Sequence, residues 1–201
     1  MNSIVVFDFD ETFIPMDSDR YVVETLSGEK WPRFKEALVA AAAQKQWTQG
    51  MDTAMANLFK GGVSKTDVIG EKIIFLHKFY WLNQLRTRDQ CTEIFVFGSS
   101  ECLERIVVEK PLKECILRLI EKGVEVRILS DANTLFIETI LRKNGLDAIR
   151  TIVSNPAAFD EQGRLRIKPY HTDPHPGTSR SPPNLCKGIS STTCILFPKL
   201  K

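Results

Sequence analysis

The chain has 201 residues, of which 43% are hydrophobic and 26% charged. That is enough apolar material for a packed medium-sized domain, and it excludes a disordered or collagen-like chain. Lys plus Arg number 27 and Asp plus Glu 25, a formal charge of only +2, which argues against a nucleic-acid or membrane-surface partner. The five cysteines (Cys91, Cys102, Cys115, Cys186 and Cys194) are scattered and form no C-x-x-C pair. A disulfide framework or zinc ribbon is therefore not expected, and a reducing, cytoplasmic setting is. The N-terminus lacks the basic start and long apolar run of a signal peptide, and Ile73 to Leu82, the longest apolar-rich run, carries His77 and Lys78. No membrane span is expected.

In chain order, Ile4-Val5-Val6-Phe7 is an unbroken apolar run that suits a strand buried on both faces. It ends at an acidic turn, Asp8 to Thr12. From Asp17 to Gly70 the pattern is helical. Asp17-Ser18-Asp19 offers a cap, Trp31 to Gln46 holds the Ala-rich segment 37–43, Met51 to Lys60 stops at Gly61-Gly62, and Ser64 or Thr66 starts another helix. Lys110 to Lys122 predicts a helix closed by Gly123, Val124 to Leu129 a second strand, Ala132 to Asn144 a helix stopped by Gly145, and Thr151 to Ser154 a third strand. Asp160 to Gly163 reads as the turn of a hairpin joining Ala158-Phe159 to Leu165-Arg166-Ile167.

Strands alternating with helices predict an α/β fold with a Rossmann-like parallel sheet. The helical block 17–105 is expected as a cap inserted after the first strand, with 1–16 and 106–201 forming the core. Residues 72–101 are an atypical insertion rich in aromatics (Phe75, Phe79, Tyr80, Trp81, Phe95, Phe97) with neither helical nor strand period, and are expected as a misfit surface. Residues 169–183, with five of the ten prolines, read as a long loop.

Ligand sites in open parallel sheets lie beyond the carboxyl ends of the strands. Asp8 and Asp10 follow the first strand and Ser130-Asp131 the second. Two carboxylates at i and i+2 on an extended turn can share a divalent cation while one attacks, and an attacking carboxylate splits one hard phosphoryl transfer into two easier steps. The plainer alternatives are an exposed acidic turn at Asp8 and Asp10, helix capping by Ser130 and Asp131, and ordinary loop positions for Lys187, His171 and His175.

The strand followed by Asp8-x-Asp10-x-Thr12, together with the strand ending in Ser130, resembles the haloacid dehalogenase superfamily of phosphohydrolases. Val5 to Thr12 with Asp17-Ser18-Asp19, Leu129-Ser130-Asp131-Ala132-Asn133 onward to Glu138, Ser154-Asn155-Pro156, and Pro169-Tyr170-His171 followed by Cys186-Lys187-Gly188 are similar to the phosphoethanolamine/phosphocholine phosphatases. Plant-type members of that family are also described as pyrophosphatases. The resemblance implies a Mg²⁺-dependent phosphatase of small phosphomonoesters working through an aspartyl phosphate. In it Asp8 is nucleophile and metal ligand, and Asp10 is acid/base and metal ligand through its backbone carbonyl. Thr12 and Ser130 hold phosphate oxygens, Lys187 neutralises developing charge, and Asp131 faces a cationic head group.

Two departures from the resemblance stand out. About thirty residues separate Asp67–Glu71 from Cys102–Ile106, segments the family joins directly, and no Asp or Glu follows Asp173, where the superfamily carries a further acidic strand. The expectation is a C-terminally shortened core. The alternative is a catalytically impaired form acting as a phosphate- or partner-binding remnant.

Overall fold

The computed structural model describes residues 3–70, 74–76, 94–96, 102–172 and 185. Its centre is a parallel three-stranded sheet. β1 (Ile4–Phe7) and β5 (Thr151–Asn155) flank β4 (Glu125–Asn133), with Phe7 opposite Ile128 and Ile128 opposite Ile152. The expected α/β class with its parallel sheet is what the chain forms. A separate antiparallel pair, β2 (Ile74–Leu76) and β3 (Ile94–Val96), is all that is described of the aromatic-rich stretch.

α5 (Lys110–Glu121) leads into β4 and α6 (Thr134–Lys143) into β5. Gly123 (φ +75°) and Gly145 (φ +67°) close these helices in the left-handed region, which lets the Val124 and Leu146 N–H groups reach back to Leu119 and Leu141. Ile116, Ile128, Phe136, Ile137 and Ile140 are fully buried and form the contact between these helices and the sheet. Asn144 fastens the chain entering α5: its Oδ1 accepts from Val108 N–H (2.9 Å) and its Nδ2 donates to Ile106 O (3.0 Å).

Between β1 and β4 lie α1 (Ser18–Ser27), α2 (Trp31–Ala43), α3 (Trp47–Lys60) and α4 (Lys65–Ile69). Asp17 caps α1 by accepting from Arg20 N–H, and Ser64 caps α4 through a reciprocal bond with Asp67. α3 starts four residues before the expected Met51, because Gly50 is not a helix breaker here. A Cβ at that position would lie 2.6 Å from Ala41 Cβ, so Gly50 is where α2 and α3 approach. The hairpin β6 (Ala157–Phe159) and β7 (Leu165–Ile167) forms as expected. Asp52 of α3 reaches it, accepting from Arg166 Nε (2.9 Å) and from Ile167 N–H (2.9 Å). Among the described residues no helix is long and apolar enough to cross a membrane.

Candidate active site

The turn after β1 is wound around one carbonyl: Phe9 O accepts from the N–H groups of Thr12, Phe13 and Ile14 at 3.3, 2.7 and 3.1 Å. Phe9 and Phe13 are buried and stacked 5.5 Å apart, which anchors the turn from below. Glu11 sits at φ +56°, a strained position for a non-glycine residue and the local cost of so tight a turn. The flanking Asp8 and Asp10 are half-buried, while Thr12 is exposed. Phe9 N–H donates to Asp8 Oδ1 at 2.8 Å, and Ser18 N–H donates to Asp10 Oδ1 at 3.1 Å.

Because Phe7 pairs with Ile128, the β1 turn emerges beside the far end of β4, where Ser130 follows. Leu129 faces Val153 and Asn133 faces Asn155, so four steps along β4 oppose two along β5, and two extra residues bulge from the strand. A bulge of this kind re-aims side chains at a strand end. Ser130 is buried and its Oγ accepts from Ala132 N–H (3.2 Å), whereas Asp131 is exposed. The cap of α6 is Asn133, whose Oδ1 accepts from Phe136 N–H at 3.0 Å. The plainer alternative, capping by Ser130 or Asp131, is thereby excluded, and the expected helix start at Ala132 is corrected: the strand runs past Leu129 to Asn133, and the helix starts at Thr134.

Asp19, read from the sequence only as part of a cap, is 5% exposed and joins two distant elements. Its Oδ2 accepts from Trp47 Nε1 of α3 (2.9 Å) and its Oδ1 from Asn133 Nδ2 (3.0 Å). Burial pushes Asp10 up to about 7, against hydrogen bonding from Ser18, and the Asp17 and Asp131 carboxylates add to the rise. Burial pushes Asp19 up to about 8, with Asp10 and Asp17 adding to it. Asp17 and Asp131 thus bear on Asp10, Asp10 and Asp17 bear on Asp19, and Asp10 and Asp19 are held toward the protonated form, chiefly by burial.

The structure brings Asp10 and Asp131 into electrostatic contact at the ends of β1 and β4. Thr12 lies on the exposed side of the same turn as Asp8. Lys187 lies outside the described residues, as do His175, Cys186 and Cys194. His171 packs edge-on against Tyr170, with ring centroids 4.8 Å apart. Sequence reasoning missed Asp19, Asn133, Trp47 and Asn155 as parts of the site. Asp19 and Asn133 are adjacent only in space, 114 positions apart, so no local pattern could have paired them.

The profile of the family described as "Putative Phosphatase" matches residues 3–96 and 98–193. The chain is 32% identical over 191 residues to inorganic pyrophosphatase 2 of Arabidopsis thaliana, covering 94% of this chain and 55% of that protein. It is 30% identical over 189 residues to a thiamine phosphate phosphatase-like protein of the same plant, covering 92% and 62%. Against the human phosphoethanolamine/phosphocholine phosphatase it is 27% identical over 187 residues, covering 92% and 56%. The chain thus spans little more than half the length of these relatives. Nearly its whole length nonetheless fits one profile: the chain belongs to the "Putative Phosphatase" family.

Proposed function

We propose that this chain hydrolyses small phosphomonoesters, phosphocholine and phosphoethanolamine among them, and pyrophosphate, by way of an aspartyl phosphate. The supporting observation is Asp10: a half-buried carboxyl pushed up to about 7, two residues from Asp8 on the turn beyond β1. A group titrating near neutral pH can both give and take a proton at working pH, which is what a general acid/base requires. In this reading the Asp8 carboxylate attacks phosphorus, the bond to the leaving oxygen breaks, and the Asp10 carboxyl gives that oxygen its proton. Water then attacks the acyl phosphate, Asp10 takes a proton from it, and inorganic phosphate leaves with Asp8 regenerated. Ser130 and Thr12 bind phosphate oxygens, Lys187 adds positive charge, and Asp131 holds a cationic head group. Helices α1–α4 serve as the cap and the sheet with its helices as the core.

The donor set suits Mg²⁺, a hard cation that needs only one or two carboxylates beside water and substrate phosphate. Among the described residues no group of three or more His, Cys, Asp or Glu side chains forms a metal site. Asp8 through its carboxylate and Asp10 through its carbonyl would hold the ion, which supplies charge neutralisation at the transferring phosphoryl group. The described cysteines, Cys102 and Cys115, are both free, in keeping with a reducing, cytoplasmic setting.

The test is turnover of phosphocholine, phosphoethanolamine and pyrophosphate by the folded chain with and without Mg²⁺, beside Asp8→Asn. Hydrolysis that needs Mg²⁺ and vanishes in Asp8→Asn is expected. Activity retained in Asp8→Asn would refute the aspartyl phosphate, and a folded, Mg²⁺-supplied chain without turnover on any of the three would refute the activity.

A further inference from the structure

Ser154-Asn155-Pro156 has no part in the chemistry above, yet Asn155 touches the site's most irregular backbone. The bulge in β4 takes the carbonyls of Asp131 and Ala132 out of the regular ladder with β5. Asn155, 2% exposed at the end of β5, meets both: its Nδ2 donates to Asp131 O at 2.6 Å and to Ala132 O at 2.9 Å. Its Oδ1 accepts from Tyr170 N–H at 3.0 Å. Two carbonyls on one side and an N–H on the other leave a single orientation for the amide, since only the NH₂ end can donate twice.

The surroundings extend this clamp. Ala157 N–H donates to Thr134 Oγ1 (3.0 Å) and Lys168 N–H to Pro156 O (2.9 Å), so both legs of the β6–β7 hairpin return to the same corner. On the opposite side Asn133 is held by Asp19. The Ser130–Ala132 turn is therefore gripped from β5 by one side chain whose two donors do the work of missing ladder bonds. The Ala132 carbonyl is buried and costly to leave unpaired, and the Asp131 carbonyl is partly so, so the turn's shape depends on Asn155.

We propose that Asn155 is a positioning residue. Its side-chain amide holds the Ser130–Ala132 bulge in the conformation that presents Ser130 and Asp131 to the substrate, and so sets head-group preference without touching substrate. The specificity part rests on the reading of Asp131 as the head-group partner; the conformational part does not.

The experiment has two arms on the full chain. In the first, amide hydrogen exchange is compared for wild type, Asn155→Ala and Asn155→Asp. The aspartate keeps the acceptor for Tyr170 N–H and removes both donors, and it stands in if the alanine variant does not fold. Exchange at Ala132, whose N–H donates to Ser130 Oγ within the bulge, at least tenfold faster, with Val126 and Ile128 within twofold of wild type, is the expected result. Unchanged exchange at Ala132, or equal acceleration throughout β4, would overturn the proposal.

In the second arm, kcat and KM are measured for phosphocholine and pyrophosphate in Asn155→Ala, Asp131→Ala and the double variant. The expected result is about a tenfold rise in phosphocholine KM from Asn155→Ala that largely disappears in the Asp131→Ala background. On pyrophosphate the loss should be the same in both backgrounds. Strictly additive losses on both substrates would overturn the link to specificity. If Asp131→Ala alone affects both substrates equally, the head-group reading has failed, and the exchange arm by itself decides whether Asn155 holds the bulge.

Discussion

Replacing Asp19 with alanine removes the acceptor shared by Trp47 Nε1 and Asn133 Nδ2, and the sign of its effect on stability depends on pH. Below about 8 the native carboxyl is largely protonated, because burial opposes the charge more than the two donors favour it. In that range the substitution leaves two donors without their acceptor. At about 1–3 kcal/mol for each buried orphan, and with Trp47 only half-buried, the loss should be about 2–4 kcal/mol at pH 6. The raised native value means that stability owed to this group is complete below the unfolded value of 3.8 and is lost as pH climbs through about 8. The slope is at most ~1.4 kcal/mol per pH unit, so wild type should lose up to about 3 kcal/mol between pH 6 and pH 9 from Asp19, a loss that the alanine variant escapes. Asp10, raised to about 7, is present in both proteins; because its charge and that of Asp19 repel, losing Asp19 also relieves Asp10, which moves the pH trend in the same direction. Urea unfolding with EDTA present, at pH 6 and pH 9, should show the variant clearly weaker at pH 6 and nearly level with wild type at pH 9. A difference that stays constant from pH 6 to pH 9 would refute this reasoning, since it would mean that the carboxylate is already ionised across that range, held at or below its ordinary value by the two donors.

Asp131→Ala should raise KM for phosphocholine and phosphoethanolamine about tenfold and spare pyrophosphate, which initial rates across the three substrates will read. Asp10→Asn should depress kcat on phosphocholine by about 10²–10⁴-fold. It should do much less harm on p-nitrophenyl phosphate, whose leaving group needs no proton; equal losses on both would remove Asp10 from the acid role. Ile128→Ala, at a fully buried position in the central strand, should cost about 2–5 kcal/mol in chemical denaturation while leaving substrate preference unchanged. A value under 1 kcal/mol would mean that the sheet is not the centre of the core.

Most features with a local cause were legible in the chain, the Asn133 cap of α6 being an exception. Ile4–Phe7 announces a strand through an unbroken apolar run, although at the sheet edge it is half-buried instead of buried on both faces. Val124–Leu129, interrupted by Glu125 and Arg127, is the strand that becomes central. Gly123 and Gly145 end helices where a left-handed residue is needed, and the Asp160–Gly163 turn sets the hairpin register. The two acidic motifs were legible for the same reason, since each is a short pattern following a strand. Tertiary structure alone decided what burial and long-range contact control. Nothing local marks Gly50 as the place where α3 packs on α2; only the approach of Ala41 shows it. Ser130-Asp131 looks like a cap until the β4–β5 register shows a bulge. Asp10 and Asp19 are ordinary carboxylates in a sequence, and become groups titrating near neutral pH only when the sheet, α1 and α3 exclude water from them and crowd them with Asp17 and Asp131. Charge, desolvation and pairing across 114 positions are properties of the assembled space around a residue, and only the folded chain supplies that space.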